Sequence, residues 1–367
     1  MDMGTSDDRP KYEFVDMDSS GEGAVRTAFT NQVAYCEANG APITARIVAA
    51  ILAVVEGERS NALIERIRGW HGAPLADALP LRVAGGIHSL HLSGDAPELM
   101  PIYRGIPAAD TDIVEQVIFG HEAQLLPWLD GPPQTNEAGR SSNFIAAMLW
   151  LASEGLPARF ECLELGSSAG INLMLDRYGY DLGGVEVGPA NPVMTFKPEW
   201  KGNPPPDEAI EIVSAKGCDV APVDLTDPAQ ALRLKAYIWP EHTVRFERIE
   251  AAIRAASDKK PDILKMNAAA FVEAELAKPQ AEGTTRVLMH SIVWQYVPKD
   301  QQQRIVAAME KAGARASADT PLAWVSVEAD RTVHRHVLKV RYWPGGDEEV
   351  QLGWSHAHGA DIEWLGA

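Results

Sequence analysis

The chain has 367 residues, 46% hydrophobic and 23% charged, so neither disorder nor a fibrous repeat describes it as a whole. At roughly 100–200 residues per domain, it is long enough for two domains or one elaborated α/β domain. Its 33 Lys and Arg against 51 Asp and Glu leave a formal charge of −18. That balance argues against nucleic acid and anionic membrane surfaces as partners, because affinity for phosphate backbones comes largely from cations that displace counterions.

In chain order, residues 1–20 read as a flexible tail. Its polar, acidic start, MDMGTSDDRPKYEF, reverses the order of a signal peptide. Residues 21–130 read as an all-helical N-terminal domain on the lid or substrate side. Apolar residues recur there at three- and four-residue spacing over 25–39, 43–56, 79–92 and 111–129. Residues 131–139, GPPQTNEAG, break the pattern with two prolines and two glycines. A helix follows, with Ser141 or Ser142 as its N-cap and Gly155 as its stop.

Beyond it, strands and helices alternate. The strands are expected at 160–165, 209–213, 262–266, 286–290 and 322–328, and the helices at 170–178, 243–256, 268–277 and 298–312. Residues 181–208 are rich in Gly and Pro and read as an insertion, with β-like pieces at 185–187 and 193–196. Residues 336–343 and 350–354 read as a terminal hairpin around Gly345 and Gly346. Alternating β and α predicts an α/β domain over 131–367, with a mainly parallel sheet and an antiparallel finish. The longest apolar runs have nine residues, against roughly 20 for a bilayer span. Cys36, Cys162 and Cys218 are far apart, with no CxxC pair, which suits a reducing compartment. A cytoplasmic protein is expected.

The most informative segment is ECLELGSSAGINL, residues 161–173. An apolar strand ends at Glu164, turns through Gly166, Ser167, Ser168, Ala169 and Gly170, and enters a predicted helix carrying Asn172. Gly166 permits a tight turn, Gly170 lets the helix start close to the sheet, and free N–H groups at the helix start face a ligand. A carboxylate at the strand end disfavours pyrophosphate and suits ribose hydroxyls or an amino group. No GK[ST] follows, so this is not a phosphate loop.

On these residues the chain resembles the class I S-adenosylmethionine-dependent methyltransferases, with Ser168 standing where the middle glycine is usual. The resemblance implies a Rossmann-like sheet and S-adenosylmethionine as cofactor, held by Glu164, Gly166, Ser167, Ser168, Gly170 and Asn172. It implies that the GCDVAP segment ends the second strand, with Asp219 on the ribose, and that KMNA ends the third, with Asn267 and Ala268 near adenine. HSIVWQY then ends the fourth strand. Asp219 lies 49 residues after Gly170, against roughly 20 in a standard unit, so Glu186 stands as the alternative ribose acid. A second resemblance, on QTNE with Arg140, ELGSSAGINL, DRYGYD, GCDVAPVD and YIWPE, covers nearly the whole chain. It is to an uncharacterised bacterial domain family with no known substrate.

If the helix after Arg140 runs antiparallel to strand 160–165, its start returns to the glycine loop. Gln134, Asn136, Glu137 and Arg140 then join the cofactor site, with Arg140 on the cofactor carboxylate. His290, at a strand end, is the candidate general base or orienting residue, with Tyr296 and Glu328 as further catalytic candidates and Trp294 as a pocket wall. The pairs His88/His91, His334/His336 and His356/His358 have no third ligand in the sequence, and no metal site is expected. The leading expectation is a methyltransferase acting on a small molecule or protein. The alternatives are a noncatalytic sensor that keeps a nucleoside pocket and a metal-dependent hydrolase built on the histidines.

Overall fold

The computed structural model describes residues 20–366 apart from Glu22, Arg331 and His334, and excepting the side chain of Asp347. The tail reading and one member of the pair His334/His336 therefore lie outside the described residues.

In chain order the helices are α1 (Ala24–Ala38), α2 (Pro42–Glu56), α3 (Ala62–Arg68), α4 (Leu79–Ser93), α5 (Met100–Tyr103), α6 (Asp110–Gly120), α7 (Glu122–Leu125), α8 (Ser141–Ser153), α9 (Pro228–Ala236), α10 (Thr243–Asp258), α11 (Ala268–Leu276) and α12 (Lys299–Gly313). The strands are β1 (Arg159–Leu165), β2 (Gly179–Leu182), β3 (Val185–Val187), β4 (Thr195–Phe196), β5 (Glu199–Lys201), β6 (Glu211–Asp219), β7 (Asp262–Lys265), β8 (Thr285–Ser291), β9 (Leu322–Asp330), β10 (Arg335–Trp343), β11 (Gly346–Ser355) and β12 (Asp361–Trp364). No helix of the described residues is long and apolar enough to cross a membrane.

The chain divides into two compact units, Met1–Thr135 with Leu232–Phe246, and Asn136–Ala231 with Glu247–Ala367. In the first, α2 is apolar on most sides, as a buried helix must be. Ile47, Ile51 and Val54 share a core with Phe29, Ile64, Val83 and Val117. Segment 232–246, which the sequence reading left with the α/β half, belongs here. Glu241 caps α2 from 198 residues away, accepting from the backbone N–H of Ile43 (2.6 Å) and Thr44 (3.0 Å). The expected helix 111–129 is broken: α6 stops at Gly120, and residues 126–130, with Pro127, form a 3-10 turn.

The second unit is built on a nine-stranded sheet in the order β5-β12-β11-β10-β9-β8-β1-β6-β7. β1, β6, β7, β8 and β9 pair in parallel, and β9 to β12 form an antiparallel meander. β8 is buried along its whole length, with an apolar centre, Val287–Met289, as a strand covered on both faces has. From β1 the chain moves outward to β6 and β7, then returns to β8 on the other side. The order thus reverses at β1, the position where open α/β sheets take ligands at their carboxyl ends.

Several expectations are corrected. The two pieces expected around 209–213 and Asp219 are one strand, β6. The insertion 181–208 is a small sheet, β3-β2-β4, followed by β5, which joins the main sheet beside β12. Glu186 sits in that small sheet, opposite Asp181. The helix expected at 170–178 is a 3-10 segment, Asn172–Arg177, interrupted at Met174 (φ −95°, ψ 18°). Side chains take the main-chain groups a helix would use: the Tyr178 hydroxyl donates to the Ile171 carbonyl (2.8 Å) and the Tyr180 hydroxyl to that of Leu175 (3.0 Å). Neither Ser141 nor Ser142 caps α8. A 3-10 turn, Ala138–Arg140, leads into it, and the Ser141 hydroxyl donates back to the Ala138 carbonyl (2.6 Å).

Candidate functional site

The glycine loop joins β1 to the 3-10 segment and turns through three left-handed residues, Gly166 (φ 64°), Ser168 (φ 51°) and Gly170 (φ 70°). Ser168 is the informative one, because a non-glycine residue rarely holds that conformation without support. The support comes from Asp219, whose Oδ2 accepts from the Ser168 N–H (2.9 Å) while Oδ1 accepts from that of Ala221 (2.8 Å). Each glycine has a different packing reason. A Cβ at Gly166 would collide with Val293 Cγ2, and one at Gly170 would stand 2.6 Å from Pro261 Cβ.

The loop's amides are largely spoken for. Ser167 donates to Cys218 (3.0 Å), Gly170 to Ser167 (2.7 Å) and Ile171 to the side chain of Asn136 (2.8 Å). The expectation of free N–H groups facing a ligand is therefore corrected: this is not a phosphate cradle. The polar groups this edge leaves without a partner are side-chain atoms.

Glu164 is buried, at 2% exposure, with Asn172 at 1%. The Asn172 amide donates to its Oε1 (3.0 Å). Burial drives the carboxyl up to about 7, outweighing the opposing pull of Asn172, Ser167 and the more distant Arg140 guanidinium. Glu164 Oε2, Asn172 Oδ1 and Ser168 Oγ are buried with no hydrogen-bond partner among the described residues.

Of the QTNE segment, Asn136 reaches the glycine loop, as the antiparallel-helix argument anticipates. Glu137 is buried and faces Arg248 at 3.7 Å. Arg140 is buried too and donates its Nε to the Ala357 carbonyl (2.8 Å), so its first partner is the protein itself. Gln134 belongs to the other unit. Asn267 caps α11, accepting from the Ala270 N–H (2.9 Å), and Ala268 opens that helix.

A second polar group lies at the carboxyl ends of β8 and β9. His290 Nδ1 is 2.6 Å from Glu328 Oε1, and Trp324 donates its indole N–H to His290 Nε2 (3.0 Å). An indole can only donate, so Nε2 is an acceptor and the proton sits on Nδ1. Both ring nitrogens are occupied, and His290 offers no free base in this arrangement. Glu328 Oε1 also accepts from the N–H groups of Val293 and Trp294 (3.2 Å each). The turn that leads from β8 to those two amides carries a strained Ile292 (φ 53°). Tyr296, 74% exposed, stands apart from the pair.

His88 belongs to the first unit and to neither group. His88 stacks near Tyr103, bonds the Ala236 carbonyl (3.0 Å) and is pushed down to about 4 by burial. Among the described residues no group of three or more His, Cys, Asp or Glu side chains is placed to hold a metal ion. The sequence reading missed Val293, Trp324 and Ala221. Only Trp324 left a signal, on the same alternating face of β9 as Glu328.

These features define a mixed α/β protein whose mainly parallel sheet ends in an acid-lined edge. The chain belongs to a family described as "Uncharacterized protein conserved in bacteria" (DUF2332), whose model matches residues 26–364. No curated protein and no solved structure matches it.

Proposed function

We propose that the second unit is a S-adenosylmethionine-dependent methyltransferase acting on a small molecule or protein, with the cofactor across the ends of β1, β6 and β7. One observation carries the reading. The parallel register sets Glu164 and Asp219 beside one glycine loop whose amides serve the protein. Two carboxyl groups, that of Glu164 half-protonated near neutrality, offer a pyrophosphate no amide nest. They suit a cationic nucleoside with hydroxyl and ammonium donors, which is the chemistry of a sulfonium amino acid joined to ribose. Methyl transfer from such a donor needs alignment above all, and a base only where the acceptor must lose a proton.

The engaged ring of His290 favours a second reading, a nucleoside-binding protein without catalysis. One experiment separates the two. The full chain is titrated calorimetrically with S-adenosylmethionine, its demethylated product and ATP, then assayed for transfer of labelled methyl to an acceptor panel. Binding of the first two with transfer supports the enzyme, and binding without transfer supports the sensor. Preference for ATP overturns both.

A further inference from the structure

The second unit holds a cavity of about 620 Å³ on the other face of the sheet from Glu164. The register fixes that face: Leu165, His290, Ser326 and Lys339 are successive partners across β1, β8, β9 and β10, whereas Glu164 pairs with Met289. The volume is that of a small-molecule site. β9 contributes Trp324, Ser326 and Glu328 to the lining, Arg341 and Lys339 of β10 stand beside the first two as their cross-strand partners, and His290 and Trp294 complete it.

Charge decides what such a cavity can hold. Both cations are answered from their own side, Lys339 by Glu349 (2.6 Å) and Arg341 by Glu310 (2.6 Å). Glu328, whose own cross-strand partner is Val337, has its Oε1 saturated by three donors. Its Oε2 has no hydrogen bond among the described residues, and the side chain is 22% exposed. The rings of Trp294 and Trp324 stand 5.5 Å apart at 66° in the same lining, with Trp294 stacked by one face on His290 (5.1 Å, 18°). Aromatic faces attract cations, and more strongly when the site is partly dry.

We infer that this cavity binds a small organic amine in its protonated form, with its N–H donors on Glu328 Oε2 and its carbon skeleton against Trp294 and Trp324. His290 is then a positioning residue. Its Nδ1–H and the two backbone amides fix Oε1, which leaves Oε2 aimed at the ligand. The inference does not depend on the cofactor reading, since the two sites lie on opposite faces.

The test is calorimetric titration of the full chain, without cofactor, using phenethylamine and 3-phenylpropanoate, probes matched in ring and length but opposite in charge. The amine should bind and the carboxylate should not. Glu328→Gln should weaken the amine by roughly tenfold or more, the scale of one hydrogen bond to a charged group. Ser326→Phe, which fills the cavity from the strand position beside His290 and leaves the Glu328 carboxyl in place, should abolish binding and keeps the test open if Glu328→Gln fails to fold. His290→Gln should lose several-fold in the wild-type background and nothing further beside Glu328→Gln, a pattern that merely structural damage does not give. Failure of the amine to bind, equal binding of both probes, unchanged affinity in Glu328→Gln, or carboxylate binding that Lys339→Ala removes would each overturn the inference.

Discussion

Glu164 and Glu328 both stand near the carboxyl ends of parallel strands, separated by β8 alone. Their surroundings differ. Glu164 is buried, the Asn172 side-chain amide donates to it, and burial raises its carboxyl to about 7. Glu328 is partly exposed, and an imidazole N–H and two backbone amides converge on one of its oxygens. One residue type at matching strand ends thus gives a carboxyl that holds its proton near neutrality and a carboxylate held by oriented donors. Face and donors decide between them, and neither is visible in a strand-end glutamate taken alone.

The sharpest way to break this comparison is where the two corners touch. Gly166→Ala drives a methyl into Val293 Cγ2 from a left-handed backbone. The conformation costs about 1–2 kcal/mol and the overlap about 1–3 kcal/mol, read as a fall in denaturant midpoint. Val293→Ala in the same chain should return the overlap part and leave the conformational part. No recovery would mean the corners are packed independently.

Next in size is the proton on Glu164. Its folded value, about 7, is raised from an ordinary 4.5. Its stabilising contribution is therefore complete below 4.5 and is lost as pH rises through 7. The difference amounts to about 3 kcal/mol. Unfolding followed between pH 4.5 and 8 should show that loss, and Glu164→Gln should flatten it. An unchanged slope in the variant would assign the proton elsewhere.

Smallest is the tautomer at the other corner. Trp324→Phe removes the donor to His290 Nε2 and should cost about 1–2 kcal/mol. Nitrogen-15 spectra should show the Nδ1–H form in the wild type and lose the Nε2 hydrogen bond in the variant. An Nε2–H form in the wild type would reverse the reading of His290.

Much of this was legible in the residues. β1 read as a short apolar strand and β8 as a strand in the alternation of strands and helices, and α8 and α12 followed from spacing and punctuation. The glycine loop, and the return of Asn136 to it, followed from the short link between α8 and β1. Other features left no local trace. The Tyr178 and Tyr180 hydroxyls that claim helical carbonyls, Val293 against Gly166, and Glu241 capping α2 across 198 residues are tertiary contacts. Hydrophobic periodicity does not record them. Trp324 illustrates the middle ground: its parity with Glu328 was readable, but its bond to His290 required the register of β8 on β9.

The most direct measurement of whether the Glu164 corner is the nucleoside site is titration of the demethylated cofactor product into three variants. Asp219→Ala should weaken it by roughly tenfold or more, the loss of a hydrogen bond to a charged group. Glu328→Gln, on the opposite face, and Glu186→Ala, in the small sheet, should leave it within about twofold of wild type, below the roughly 0.5 kcal/mol typical of a remote surface change. No binding by the wild type, or a larger loss in Glu328→Gln or Glu186→Ala than in Asp219→Ala, would contradict it.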